Sequence, residues 1–124
     1  MTRDTTALHE RRRRNRSGAW GEILAAAFLM AKGYRILERR FSCPAGEIDL
    51  IARRGKRIAF IEVKKRASLA AAHASIGAAQ ANRIANAADT WLSRHPQHQA
   101  SDIGFDIIFV VPGRMPQHLI NALL

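Results

Sequence analysis

The run Gly46-Glu47-Ile48-Asp49-Leu50-Ile51, followed after a short basic turn by Phe60-Ile61-Glu62-Val63-Lys64-Lys65-Arg66, constrains this chain more than any other stretch. Both segments alternate charged with apolar residues, which is the period of a strand with two unlike faces. Glu62 and Lys64 therefore share one face while Ile61 and Val63 fill the other, and Glu47, Asp49 and Ile51 share a face on the preceding segment. The intervening Arg53-Arg54-Gly55-Lys56-Arg57 is short and contains glycine, so a tight antiparallel hairpin is the natural connection. With Gly55-Lys56 at the turn centre, Asp49 opposes Glu62 and Glu47 opposes Lys64. With Arg54-Gly55 there, Glu47 faces Glu62 instead. Both registers keep the acids on one face.

Carboxylates that close together repel, and in a partly desolvated site at least one has its pKa raised unless a cation compensates. A divalent ion resolves the conflict. Mg²⁺ or Mn²⁺ is expected, because hard ions take oxygen ligands and Mg²⁺ commonly uses one or two carboxylates together with waters and substrate phosphate oxygens. A lone Glu-x-Lys is more often the outward side of an exposed strand. The second acidic pair, Glu47 and Asp49 on the adjoining strand, is what shifts the reading to a site.

The 124 residues suffice for one domain with one core, and a hydrophobic fraction of 48% fits a globular chain. Its 20 Lys and Arg against 10 Asp and Glu leave a net charge of +10, which favours polyanionic partners, nucleic acid first. Charge alone does not separate DNA from RNA. Residues 1–16, with Arg11-Arg12-Arg13-Arg14, are expected to form a flexible basic segment, either an arm that tracks phosphates or a solubilising leader, and residues 17–124 a single domain. Cys43 has no second cysteine for a disulfide or a zinc site, so a structural role in a reducing cytoplasm is expected. His95-Pro96-Gln97-His98 reads as an exposed turn rather than a metal pair. No membrane partner is expected: the run from Ser17 to Ala31 is short of a span and contains Glu22, and the N-terminus lacks the apolar core of a signal peptide.

Ser17 to Ala31 reads as a helix stopped at Gly33, with Trp20, Ile23, Leu24, Ala27, Phe28 and Ala31 as a broad buried stripe. Glu22 is the only charge between Arg16 and Lys32. It is either a carboxylate favoured by the helix N-terminus or, beside an acid cluster, a third acid of the site. Tyr34 to Phe41 is the expected first strand, leading through Cys43-Pro44-Ala45-Gly46 into the hairpin. Ser68 to Arg94 reads as a helix packed on the sheet through Ile76, Ala79, Ile84, Ala87, Ala88, Trp91 and Leu92, with Gly77 weakening its beginning. Phe105 to Val111 is a buried strand, and His118 to Leu124 a strand or a short helix. A crossover helix favours parallel pairing of the third and fourth strands. The expected architecture is α/β: a mixed sheet flanked by helices, in the order helix, three-strand meander, helix, strand.

On these residues the chain resembles the YraN-like bacterial family of predicted endonucleases, part of the restriction-endonuclease-like superfamily with its Asp...(Asp/Glu)-x-Lys signature. The likeness runs from Trp20-Gly21-Glu22 through the hairpin to Phe105-Asp106. It implies a restriction-endonuclease-like fold and a metal-dependent endonuclease in which Asp49 and Glu62 bind the metal, Lys64 is the catalytic lysine and Glu22 is the acid supplied by the first helix. The family often carries a Lys near the position of Gln80 and an Arg at that of Gly104, so this chain departs at both. Arg53, Lys65, Arg66, Gln80 and Arg83 are the candidates for holding the nucleic-acid backbone, since such contacts position substrate without reading bases. Neither a zinc finger nor a recognition helix is legible. Branched, flapped or damaged DNA is therefore the expected substrate rather than a defined sequence, with a homodimer expected if both strands of a duplex are cut. The competing reading is a non-catalytic nucleic-acid-binding or accessory protein that keeps the fold. Retention of Asp49, Glu62 and Lys64 together argues against it, because a pure binding surface would gain from losing the acids.

Overall fold

The computed structural model describes residues 19–74 and 77–123. The basic segment at residues 1–16 lies outside them. Helix α1, helical over the described residues 19–31, turns at Lys32-Gly33 into the sheet. The strands are β1 (Arg35–Cys43), β2 (Gly46–Arg54), β3 (Arg57–Lys65), β4 (Asp102–Val110) and β5 (Gln117–Leu119). Between β3 and β4 come helices α2 (Leu69–Ala74) and α3 (Ala78–Ser93) and a 3₁₀ turn at Pro96–His98. The strands lie in sequence order, with every neighbouring pair antiparallel except β3 and β4. That one parallel pair requires the chain to return to the starting end of the sheet, which is why the helices stand there.

The helix expected over Ser68–Arg94 is two. Gly77 stands before α3 with extended backbone, φ −143° and ψ 151°, so the helical path ends there and begins anew. Ile76 and the side chain of Ala79, counted toward the packed face, lie outside the described positions. The segment from His118, open between strand and helix, is short strand followed by turns.

The sheet is covered on both faces. From β3, Ile58 and Phe60 face α3 and join Phe41, Ile84, Ala87, Ala88, Trp91, Ile107 and Phe109, while Ala59 and Ile61 face α1 and join Leu50, Ile108 and Val110. Such a two-sided strand reads as a nearly unbroken apolar run, as Ile58 to Ile61 does. Against expectation, α1 buries the other of its two stripes. Ala25, Ala26 and Leu29 pack on the sheet with Glu22 also buried, whereas Trp20, Ile23, Leu24 and Ala27 are exposed, Trp20 by 65%. Both stripes have the helical period, and closeness of approach decides between them. A Cβ built on Gly21 would lie 3.7 Å from Val63 Cγ1, in ordinary contact, so helix and sheet already approach to near backbone distance there. Among the described residues no helix is long and apolar enough to cross a membrane.

On the α1 side a buried ion cluster ties β3, β4 and β5 together. Arg57 donates from both terminal nitrogens to Asp106, at 2.8 and 2.6 Å, and the backbone N–H of Asn121 and the ring of His118 reach the same carboxylate at 2.9 and 2.7 Å. Lys32 Nζ lies 2.7 Å from the other ring nitrogen, Nδ1, of His118. With Lys32 as donor, Nδ1 accepts and Nε2–H is the donor to Asp106. Burial pushes the Asp106 carboxyl up, but the bonds from His118, Arg57 and Asn121 outweigh it and hold the group at about 2, below its ordinary 3.8. Stability from this cluster, about 2 kcal/mol, is therefore present above pH ~4 and lost as pH falls toward 2. Acid titrations followed by circular dichroism should find that component missing in Asp106→Asn; superimposable acid limbs would remove the cluster from the account of stability.

Candidate active site

The ladder between β2 and β3 runs from Arg54↔Arg57 to Leu50↔Ile61, with Gly55-Lys56 at the turn and Gly55 at φ 60°. A glycine of positive φ at the first central position is the type II′ pattern, whose twist matches that of the strands. This is the register that directs Asp49 toward Glu62. Beyond Leu50 the ladder stops, and Asp49 Oδ2 accepts the Val63 backbone N–H at 2.7 Å in place of a main-chain carbonyl. The side chain thus lies at the parting of the two strands. Ile48 and Ile51 both join the α3-side core, three residues apart, so strict alternation fails around Asp49.

Beside this parting lies a cleft of about 350 Å³ lined by Ser42, Cys43, Gly46, Glu47, Asp49, Glu62, Gln80, Arg83 and Ile84. Gly46 sets its width. A Cβ there would come within 2.8 Å of the Arg83 carbonyl oxygen, so the β1–β2 turn can approach α3 only because residue 46 has no side chain. Glu62 Oε1 lies 3.7 Å from Lys64 Nζ, and Glu62 Oε2 is buried with no hydrogen-bond partner among the described residues. Lys64, only 1% exposed, lies behind the wall of the cleft and donates to Gln80 Oε1 at 2.6 Å. Burial lowers its pKa, partly offset by Glu62. Burial also pushes the Asp49 carboxyl up to about 6, against the lowering effect of the Val63 bond and with added repulsion from Glu22, Glu62 and Glu47.

The residues expected to form the site are distributed unevenly. Asp49, Glu62, Gln80 and Arg83 meet in the cleft and Lys64 abuts it. Glu22 comes from α1, close enough to act on Asp49, and is ion-paired with Arg40 at 2.6 Å. Arg66 is near enough to Lys64 to act on it electrostatically, and Lys65 is exposed at the same strand end. Arg53 does not join them. It lies at the hairpin turn, where its Nε donates to the Gly55 carbonyl at 2.8 Å. The space a side chain at Gly104 would take is filled by the Arg57 guanidinium. Sequence reasoning overlooked Arg40, although a turn at Pro44-Ala45 already sets it opposite Asp49, between the pairs Arg39↔Leu50 and Phe41↔Ile48.

The donor set suits a hard cation. Asp49 and Glu62 offer oxygen donors, one raised in pKa by burial and the other with a buried oxygen that has no hydrogen-bond partner among the described residues. Among the described residues no three or more His, Cys, Asp or Glu side chains are grouped to hold a metal. Mg²⁺ does not require such a cage, because it retains waters and uses one or two carboxylates.

A five-stranded mixed sheet flanked by helices, with acids from β2 and β3 beside the strand-end Lys64, has a restriction-endonuclease-like architecture. Residues 21–110 match the uncharacterised protein family UPF0102, and the chain belongs to that family, the YraN family of the resemblance. It is 50% identical over 117 residues to UPF0102 protein BRADO0179 of Bradyrhizobium sp. (strain ORS 278), an overlap of 94% of this chain and 83% of the relative. A UPF0102 protein of Nitrobacter winogradskyi is 49% identical over 106 residues, 86% of this chain and 90% of the relative. One from Methylorubrum extorquens (strain PA1) is 50% identical over 112 residues, 90% and 88% of the two chains. The names of these relatives state no activity.

Proposed function

We propose that this chain is a Mg²⁺- or Mn²⁺-dependent endonuclease that hydrolyses DNA phosphodiester bonds. The observation that carries the reading is the pairing of an orphaned buried oxygen, Glu62 Oε2, with the desolvated Asp49 carboxyl on one cleft. An acid pair of this kind is costly in a free protein and useful to one that binds a cation. Asp49 and Glu62 would hold the ion, with Glu22 completing or orienting its shell. When bound, the ion would polarise the scissile phosphate and lower the pKa of a coordinated water. Lys64, kept in one orientation by Gln80, would position the nucleophile or stabilise charge developing on the phosphate. Gln80 and Arg83 on the α3 wall, with Lys65 and Arg66 at the end of β3, would hold the backbone; Arg53 is too far along the hairpin to serve the same phosphate.

The cleft is formed by strand ends and one helix face, and among the described residues no element is arranged to enter a groove and read base edges. Branched, flapped or damaged DNA is therefore the proposed substrate class. A homodimer would address both strands; light scattering reads the mass directly. Cleavage assays on branched, flapped, single-stranded and duplex DNA with Mg²⁺ or Mn²⁺ test the activity. Cutting that requires the ion is the expected result. Binding without cutting across all substrates would favour a non-catalytic nucleic-acid-binding protein of the same fold.

A further inference from the structure

Arg40 has a left-handed backbone, φ 55°, which L residues other than Asn and Asp seldom adopt and which persists only where surrounding interactions fix it. The flanking pairs Arg39↔Leu50 and Phe41↔Ile48 are regular, so the irregularity is confined to the residue across from Asp49. From there Arg40 Nε donates to Glu22 Oε2 at 2.6 Å. The two partners are held unequally. The Glu22 side chain is 10% exposed, on the buried face of α1, whereas that of Arg40 is 48% exposed. Water and salt weaken such a half-exposed pair, so the guanidinium can exchange one anion for another. Phosphate is the natural alternative, because its oxygens match the guanidinium fork as well as a carboxylate does.

We propose that Arg40 is a phosphate-binding residue beside the cleft rather than in its lining, held on Glu22 in the free protein and transferred to the nucleic-acid backbone when Glu22 turns to the cation. The inference rests on the proposed DNA substrate and cation. It gives the left-handed backbone a purpose: residue 40 stands across from Asp49 while its guanidinium reaches the first-helix acid. It also accounts for the stability of a buried Glu22 beside other acids, since the arginine compensates its charge until the metal does.

The test is a double-mutant cycle on DNA affinity, read by fluorescence anisotropy of a labelled flapped DNA, first in EDTA. Glu22→Gln releases Arg40, so affinity should rise about three- to tenfold at 0.1 M salt, with the salt slope steeper by about one phosphate contact. Removing one negative charge could raise affinity without Arg40, and the cycle controls for this. In an Arg40→Asn background the gain should vanish, asparagine being chosen because it tolerates the left-handed backbone without the charge. A gain of equal size in both backgrounds, in variants with wild-type melting profiles, overturns the proposal. In the second arm, Ca²⁺ at constant ionic strength should strengthen DNA binding by the wild type and not by Arg40→Asn. Absence of cation binding in calorimetry of the wild type would defeat the metal reading alone, because the EDTA cycle does not depend on it.

Discussion

Lys64→Met should fold, take up a divalent cation and bind DNA with most of the wild-type affinity, yet lose ion-dependent cleavage by about 10²- to 10³-fold, the usual worth of one preorganised electrostatic group. Methionine is the informative replacement. Lys64 is 1% exposed, and a side chain of similar volume avoids the cavity that alanine would leave. Gln80, freed of its 2.6 Å bond to the ammonium, borders the cleft and can bond to water instead. The loss should appear in single-turnover cleavage rates with little change in cation affinity, because an ammonium is not a metal ligand. Equal rates for variant and wild type would show that the lysine is structural. A wild type that cuts nothing would leave Lys64 as a buried partner of Glu62 and move the binding-protein reading ahead.

Asp49→Asn should have two opposite effects: loss of cation binding and a gain in the stability of the metal-free protein near pH 7. Burial raises the Asp49 carboxyl from 3.8 to about 6, so between these values the folded chain retains a proton that the unfolded chain has released. Stability from that group is full below pH ~4 and falls as pH rises through 6, reaching a deficit of about 3 kcal/mol at neutrality. Asparagine removes the charge and keeps an oxygen to accept the Val63 N–H, which bonds to the Asp49 carboxylate at 2.7 Å in the native chain. Its melting temperature at pH 7 should exceed the wild type's by about 10 °C, while the two converge near pH 4. Saturating Mn²⁺ should stabilise the wild type by mass action and leave the variant unmoved. Parallel stability profiles from pH 4 to 8 would mean that the carboxylate is compensated within the protein, and the case for a cation at Asp49 would weaken with it.

Such a result would make the site an example of stability given up for function. The same tension is visible at Glu62, whose buried Oε2 has no partner among the described residues, and at Arg40, whose backbone is left-handed. All three stand where β1, β2 and β3 come together at one end of the sheet.

Much of this was legible in the chain. The period-two alternation of β2 and β3 predicted the hairpin and the acids that meet on it, and the helical crossover predicted the parallel pairing of β3 with β4. The α1 stripe was not legible. Trp20, Ile23, Leu24 and Ala27 form the more hydrophobic face, but the sheet meets the face that carries Gly21, Ala25, Ala26 and Leu29. Periodicity reports that a helix has faces, and only the distance to its neighbour selects one. The Asp106 cluster escaped for a related reason: Arg57, Asp106, His118 and Asn121 are distant in sequence, and no local pattern announces a four-part buried network.

What the order of residues determined was therefore local and periodic: strand alternation, the Gly55 turn, the run of apolar positions that must be covered on both sides, and the presence of Asp49, Glu62 and Lys64 in one hairpin. The fold decided how those groups were paired. That Lys64 is bound to Gln80 and that Glu22 is held by Arg40 depend on α3 and α1 closing on opposite faces of the sheet, and that Asp49 caps Val63 where the ladder ends depends on the parting of β2 from β3. Alternation assigns a side chain to a face, whereas its partner, its hydration and hence its charge are set by whatever the rest of the chain brings to that face.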